Sequence, residues 1–426
     1  MSNNFESNIT RKLARVFLTK FESARIHSKN VNTQLLDGKF NPSSGDTIDF
    51  KRPTDYISKR TSDGDISGGD RSDIITGKAS GVVQDYFTVD VDFNEADEAI
   101  KMDQLDQLLA PMATRIATDL ELDFTNFMMR NSALVAGTVG TAATTWDHVA
   151  DGGAVLQSSG VPMDENWYYT VNPYTQRNLA SNQRSLGAGG SAGAMITEAH
   201  KKATITNNFA GFDSVMTATT LASYTNDAEV DRAGTLSASP DPTYLAAKDS
   251  MTQTIAVADI GAGAAVIPAG TTVTVAGRYR LNLSTRQLIL DDAGSPIPWS
   301  ATVTETVTLA GGAGNLVVTG PAVWEAAGAY NTVDSALTSG DVVTLGGAAD
   351  DIIQPNLFWH KQAFSIGSVP IKKLYSTDTL ATTEDGLRIR VSKYSDGDAN
   401  KQIVRFDLRP AYACLNPFFS GQGFGS

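Results

Sequence analysis

A change of texture in the middle of the chain sets the strongest limit on its fold. From Tyr224 to Leu345 the sequence turns to Thr, Val, Ala and Gly in short alternating runs. Examples are Thr271-Thr-Val-Thr-Val, Tyr279-Arg-Leu-Asn-Leu, Ala301-Thr-Val-Thr-Glu-Thr-Val-Thr and Asn315-Leu-Val-Val-Thr. Alternation at a period of two is the pattern of a strand with one face covered and one face wet. Five or six such runs at near-regular spacing predict a small β-barrel or sandwich. Helix-like and strand-like segments mix on either side, so the block reads as a β module inserted into another domain. Such an insertion is tolerated when the module's own ends lie close together. The 426 residues leave room for about two to three domains and a large core.

The mixed halves carry two helix signals. Between Glu95 and Asn131, Met112, Ile116, Leu120, Phe124 and Met128 recur every four residues, with Ala113, Ala117 and Phe127 beside them. This is the longest helical pattern in the chain and predicts the backbone of the main domain. Pro111 should kink it or occupy the first turn of its second half. Phe5 to Ile26 predicts an amphipathic helix, with Ile9, Leu13, Val16, Phe17 and Phe21 at helical spacing and the basic residues on other faces. Such a helix is not stable alone, so its stripe must be buried on a neighbour or on another subunit. Thr47–Lys51 and Phe87–Phe93 alternate at strand period around a turn-rich stretch, Thr61 to Asp73. Together they predict a long antiparallel flap with a polar, mobile tip. Its apolar surface is too small to hold it flat, so it needs something outside its own subunit to lie on.

Charge is distributed unevenly. The chain has 47 acidic and 34 basic side chains, a formal net charge of −13. Residues 1–30 nevertheless hold six basic residues against Glu6 and Glu22, whereas Tyr224 to Leu345 holds twelve acidic against five basic. The basic leader reads either as a solvated face or as an arm for another protein's acidic surface. Overall acidity argues against a coat that works by neutralising phosphate. The single cysteine, Cys414, excludes an internal disulfide framework and a multi-cysteine metal site. The four histidines, His27, His148, His200 and His360, are too far apart for a His-x-x-x-His zinc site. No leading apolar run resembles a signal peptide, and no eighteen-residue apolar run offers a membrane span, which predicts a soluble protein made inside the cell.

Chemical motifs are few. Gly189-Gly-Ser191-Ala-Gly193 fits the nucleophile-elbow string, but that chemistry needs a strand entering the serine and a helix leaving it. The preceding residues read as helix or loop, so a flexible loop is expected. Asp63-Gly-Asp65-Ile-Ser67-Gly68 begins like a calcium loop, yet its twelfth position is Ile74 rather than a glutamate, so a turn is expected. Asp147-His148 reads as a polar pair at a helix start rather than an acid–base pair. No phosphate loop, carboxylate pair or reactive thiol site appears, so neither catalysis nor a cofactor is expected.

The order of parts resembles P22-like tailed-phage major capsid proteins, nearest the branch of Shigella phage Sf6, over essentially the whole chain. Asp46-Thr-Ile-Asp-Phe-Lys-Arg-Pro, Gly64-Asp-Ile-Ser-Gly and Ile75-Thr-Gly-Lys-Ala-Ser-Gly carry the resemblance in the flap. Glu98-Ala-Ile-Lys, Leu108-Leu-Ala-Pro and Phe127-Met-Met carry it in the long helix. Asn172-Pro-Tyr-Thr-Gln-Arg-Asn-Leu-Ala, Asn208-Phe-Ala-Gly-Phe, Lys393-Tyr-Ser-Asp-Gly-Asp-Ala-Asn and Arg405-Phe-Asp-Leu-Arg-Pro-Ala-Tyr carry it further on.

The resemblance implies an α+β chain of the HK97 capsid type with an inserted all-β barrel. Its parts would be an N-terminal arm (1–34), an E-loop hairpin (35–93), the spine helix of a peripheral domain (94–135) and the first part of an axial domain (136–222). The inserted barrel (223–346) and the return strands (347–426) would follow. It further implies self-assembly into hexamers and pentamers of an icosahedral procapsid, with T=7 expected. The implied partners are copies of itself, a scaffolding protein, a portal protein and double-stranded DNA held without sequence reading. The shell would form in the host bacterial cytoplasm and would not involve a membrane or a Lys–Asn cross-link. The assembly residues it points to are Arg11, Lys12, Arg15, Phe17, Phe21, Lys51, Arg52, Lys59, Arg60, Asp63, Asp65, Arg71, Asp241, Lys248 and Asp249. The intercapsomer loop is placed at Ser237 to Asp249. The alternatives are a cargo-enclosing shell of the same fold and, remotely, a hydrolase using Ser191.

Overall fold

The computed structural model describes residues 6–33, 35, 47–67, 73–94, 105–186, 202–205, 208–229, 231–261, 263–369, 371–375, 378–396 and 401–426. The chain divides into two units, one of Met1–Asp49, Ser80–Thr125 and Phe364–Ala413, the other of Phe50–Ala79, Asn126–Ala363 and Cys414–Ser426.

The first unit is built on an antiparallel four-stranded sheet in the order Thr379–Thr382, Arg388–Asp396, Lys401–Leu408, Phe87–Asn94. Its central hairpin pairs Ile389 with Leu408 through to Asp396 with Lys401. The apolar side chains of Ile389, Val391, Val404, Phe406 and Leu408 sit at alternate positions and are buried, and the intervening Arg390, Ser392 and Asp407 are buried as well. The leading helix, Glu6–Ala24, lies on this sheet. Phe17 stacks on Phe406 with ring centroids 4.3 Å apart, and Phe21 stacks 5.9 Å from Phe17.

Phe87–Asn94 is therefore not the returning leg of the flap. It pairs along its length with Lys401–Leu408. The neighbour of Thr47–Lys51 is instead Lys78–Val83, in a second sheet continued by Pro410–Cys414 and Phe364–Ser368. Alternation marks which face a strand buries and carries no information about its partner, and Lys78-Ala-Ser-Gly-Val-Val shows no such alternation.

The long helix is described from Leu105 to Arg130. Met112, Ile116, Leu120, Phe124 and Met128 are all buried, as their four-residue recurrence requires. Pro111 lies inside this helix, beyond its first described turn.

The second unit holds a five-stranded mixed sheet in the order Leu134–Ala136, Ser420–Gly423, Asn356–His360, Trp167–Val171, Ser214–Thr217. Two helices accompany it, Trp146–Ser158 and Pro173–Leu186. Asp147 and His148 occupy the start of the former, where His148 Nδ1 accepts from the backbone N–H groups of Thr144 (3.0 Å) and Thr145 (3.4 Å). The latter starts on Asn172, whose side-chain oxygen accepts from Thr175 N at 2.7 Å, with Pro173 at the first helical position.

The Thr/Val/Ala/Gly block closes into a six-stranded barrel. Its order is Thr272–Tyr279, Pro298–Val303, Gly314–Thr319, Thr252–Ala258, Ala233–Leu236, Val342–Leu345. Ile255, Val257, Val273, Val275, Leu316, Val318 and Val343 fill it around Trp299, whose indole N–H reaches Gly320 O at 3.2 Å. The chain enters and leaves through one neck, where Tyr224 and Thr225 pair with Ile353 and Ile352. The ends of the module thus lie side by side, which is the condition for a tolerated insertion.

Candidate functional site

Two places tie extended pieces of the chain down. The first anchors the leading helix. Past Ala24 the chain turns through His27 and Ser28, and this turn is gathered by one carboxylate of the long helix. Glu121 accepts from His27 N (2.6 Å), from Ser28 N (3.1 Å) and from the Ser28 hydroxyl, and His27 Nδ1 lies 2.9 Å from it. Burial pushes the Glu121 carboxyl up, but the bonds from His27 and Ser28 outweigh it and hold the group below the ordinary carboxylate range. Arg25 adds a second tie, with its guanidinium on both oxygens of Asp385 at 3.0 and 2.5 Å and on Ser28 O at 2.9 Å. Burial opposes ionisation of Asp385 as well, and Arg25 reverses the balance.

The second place is the root of the flap. Arg52 is buried and joins its two legs. Its N–H donates to Gly77 O (2.8 Å), its Nε to Lys78 O (3.0 Å), and its Nη1 to Leu415 O. On the outgoing leg Asp55 meets Arg286 of the barrel at 2.5 Å, and Asp55 N donates to the Tyr330 hydroxyl at 2.9 Å. That hydroxyl donates onward to Ile75 O, on the returning leg, at 3.1 Å. The Tyr330 ring stacks flat on Tyr244 at 3.8 Å. Lys78 N donates to Asp249 at 3.2 Å. Gly77 is obligatory here, because a Cβ would stand 2.4 Å from Lys248 O. Beyond the root the flap has no strand in residues 52–67 and 73–77. Tyr56, Ile57, Ile66 and Ile74 are exposed there, Ile74 to 73%.

The residues expected from the sequence fall into several groups. Phe17 and Phe21, expected to be covered by another subunit, are wholly buried within their own chain. Helical periodicity identifies a face that needs cover, and the cover comes from Phe406 and its sheet. Arg52, expected as an assembly contact, instead spends its donors on its own backbone. Arg15, Lys51, Lys59 and Arg60 are exposed. Asp63 and Asp65 shape their own turn by accepting from Asp65 N (3.1 Å) and Ser67 N (2.8 Å), with Gly64 at φ +81°. The turn reading of this calcium-like string is the one observed. Asp241 accepts from Thr243 N at 2.9 Å. Lys248 and Asp249 pair at 2.7 Å, and Asp249 acts on the Arg52 guanidinium at the flap root. Arg71 and Ser191 lie outside the described residues, as do the side chains of Arg11 and Lys12.

Asp55, Gly77, Arg286, Tyr330 and Glu121 were missed. For Glu121 a signal existed: Ala113, Ala117, Glu121, Thr125 and Met129 form a row at four-residue spacing, and every member is buried. A charge in a row of small and apolar residues calls for a partner. Among the described residues no group of His, Cys, Asp and Glu is placed to hold a metal, and no helix is long and apolar enough to cross a membrane. Burial pushes the Cys414 thiol up to about 12, which keeps it protonated and inert.

The family described as P22 coat protein, gene protein 5, matches residues 1–425. The major capsid protein of Acyrthosiphon pisum secondary endosymbiont phage 1 is 37% identical over 429 residues, covering 100% of both chains. Among solved structures, a chain of Mycobacterium phage Che8 aligns at 11% identity with a TM-score of 0.47, over 94% of this chain and 92% of that one. One from the mature capsid of bacteriophage PhiM1 aligns at 9% identity with a TM-score of 0.41, over 89% and 81%. The chain belongs to the P22 coat protein family and is a phage capsid protein.

Proposed function

We propose that the chain is the repeating subunit of an icosahedral procapsid, arranged in hexamers and pentamers with T=7 geometry and later filled with double-stranded DNA. One observation supports this beyond family membership. The flap carries Tyr56, Ile57, Ile66 and Ile74 into solvent while its root is fixed, so the surface these side chains need is supplied by another copy. In this reading residues 1–34 are an arm and 94–135 the spine of a peripheral domain. Residues 136–222 and 347–426 then build the axial domain and return strands, and 223–346 are the inserted domain. The E-loop hairpin is residues 35–93 in this reading, with Lys78–Val83 as the strand beside Thr47–Lys51. The exposed Lys59 and Arg60 remain contacts on the neighbour, as does the 237–249 connection, where Leu245 is 63% exposed.

Assembly takes place in the host cytoplasm with a scaffolding protein and a portal. An acidic subunit suits a container whose genome must slide during packing, since mobile cations screen the wall's charge beyond about 8–10 Å. The test is negative-stain imaging of the purified protein mixed with its scaffolding protein. Closed particles of uniform diameter are expected. Persistent monomers with no closed particles at any ratio of the two proteins would refute the reading.

A further inference from the structure

The three barrel features that grip the flap root come from three different connections. Lys248 and Asp249 lie between strands Ala233–Leu236 and Thr252–Ala258, Arg286 between Thr272–Tyr279 and Pro298–Val303, and Tyr330 between Gly314–Thr319 and Val342–Leu345. Every neighbouring pair in the barrel is antiparallel. Tracing directions round the ring therefore places all three connections at one end, and the Tyr224/Ile353 neck at the other. The barrel is a strut: planted by its neck, it holds the flap at its far end.

We propose that the inserted barrel aims the flap, fixing the direction in which it leaves the subunit through the Arg286–Asp55 pair, the Tyr330 bridge between both legs and the Asp249–Lys78 contact. A chain held on one leg pivots about that point. Here Asp55 is held on the outgoing leg, Lys78 on the returning leg, and Tyr330 touches both. The tight seat of Gly77 against Lys248 O removes the remaining play. None of these contacts uses Tyr56, Ile57, Ile66 or Ile74, so aiming leaves the apolar side chains free for another copy. This inference rests on the coat-subunit reading for its consequence, the curvature of the shell, but not for the clasp itself.

The test compares the full-length chain with R286D, with D55R, with the double swap D55R/R286D, and with G77A, which changes no charge. Amide exchange of residues 53–56 and 75–79 in the unassembled subunit should rise about threefold to tenfold in the single variants, the range expected for a partly exposed ion pair and one hydrogen bond. The double swap should return it toward wild type, while the barrel strands 252–258 and 314–319 stay unchanged. Shells from the single variants should lose their uniform diameter, and the double swap should restore it. Unchanged exchange in every variant overturns the clasp. Faster exchange with particles of wild-type diameter overturns the aiming role. Absence of shells even from the wild-type chain strikes the coat reading alone, because exchange still judges the clasp.

Discussion

Replacing Glu121 with alanine should unlatch the leading helix without unfolding the rest of the chain. The carboxylate accepts from two backbone N–H groups, from the Ser28 hydroxyl and from the His27 ring, all in a buried site. Alanine accepts nothing, so His27 N and Ser28 N lose their partners. An orphaned buried donor costs about 1–3 kcal/mol, so losing the acceptor for the two backbone N–H groups and the Ser28 hydroxyl costs about 3 kcal/mol or more. Taking the lower end, about 3 kcal/mol of latching is lost, which corresponds to a roughly 150-fold increase in opening. The loss is local, because the sheet beneath the helix keeps its own core of Ile389, Val391, Val404 and Leu408.

Native-state hydrogen exchange followed by mass spectrometry reads this directly. Peptides covering residues 14–31 should exchange about a hundredfold faster in Glu121→Ala, while the barrel strand Gly314–Thr319 keeps its protection. Glu121→Gln retains shape and one acceptor oxygen and should fall between the two. Protection of residues 14–31 within about threefold of wild type would refute the reasoning, since it would show that ring stacking alone fixes the helix.

Acid should weaken the first unit selectively. Glu121, Asp385 and Asp407 are each held below their ordinary carboxylate range, the last despite burial by bonds from Thr88, Arg390 and Arg405. A depressed folded value supplies stability that is complete above the unfolded value, near 4, and drains as pH falls through the folded one. Urea midpoints should therefore hold steady from pH 7 to about 5 and fall below about 4, less steeply in Glu121→Gln; a midpoint that rises on acidification would contradict the sign. Deleting residues 1–30 removes Phe17 and Phe21 from the core, and loss of one such buried aromatic costs about 3–5 kcal/mol. The truncated subunit should be insoluble or protease-sensitive as a monomer, and a soluble, fully protected one would refute the packing. Residues 223–346 expressed alone should give a β-rich circular dichroism spectrum with cooperative melting, because barrel and core Trp299 are complete within that span.

Where the sequence was legible, a face or a period determined the answer. The row from Met112 to Met128 could only be one side of a helix, and the alternating Thr/Val runs called for a barrel or sandwich, of which the structure forms a barrel closed around Trp299. Where it was not, the missing information was the identity of a partner. The stripe of Phe17 and Phe21 demanded cover, and nothing local distinguishes Phe406 of the same chain from a neighbouring copy. Thr47–Lys51 and Phe87–Phe93 both alternate, yet the neighbour of Thr47–Lys51 is Lys78–Val83, whose sequence carries no such pattern. The flap root was hidden for another reason. Asp55, Gly77, Arg286 and Tyr330 are ordinary residues in separate loops, and only the barrel's closure brings three of its connections to one end.

The different fates of the leader and the flap follow from what each offers to bury. The leader presents two phenylalanines on one helical face, a compact apolar stripe that the sheet of its own unit covers completely. The flap spreads Tyr56, Ile57, Ile66 and Ile74 along described residues that form no strand, and all four side chains are exposed. Burying a large apolar side chain fully is worth about 1.5–3 kcal/mol, and these four are already partly covered. One docked flap thus contributes a few kcal/mol before ordering costs, the scale of a millimolar to micromolar contact. A contact of that strength forms and breaks freely between two copies, which lets misplaced subunits leave. It holds only when a closed arrangement makes many such contacts at once. Such a contact depends on the flap arriving in the right direction, so the geometry of its root matters more than any additional apolar side chain along its length.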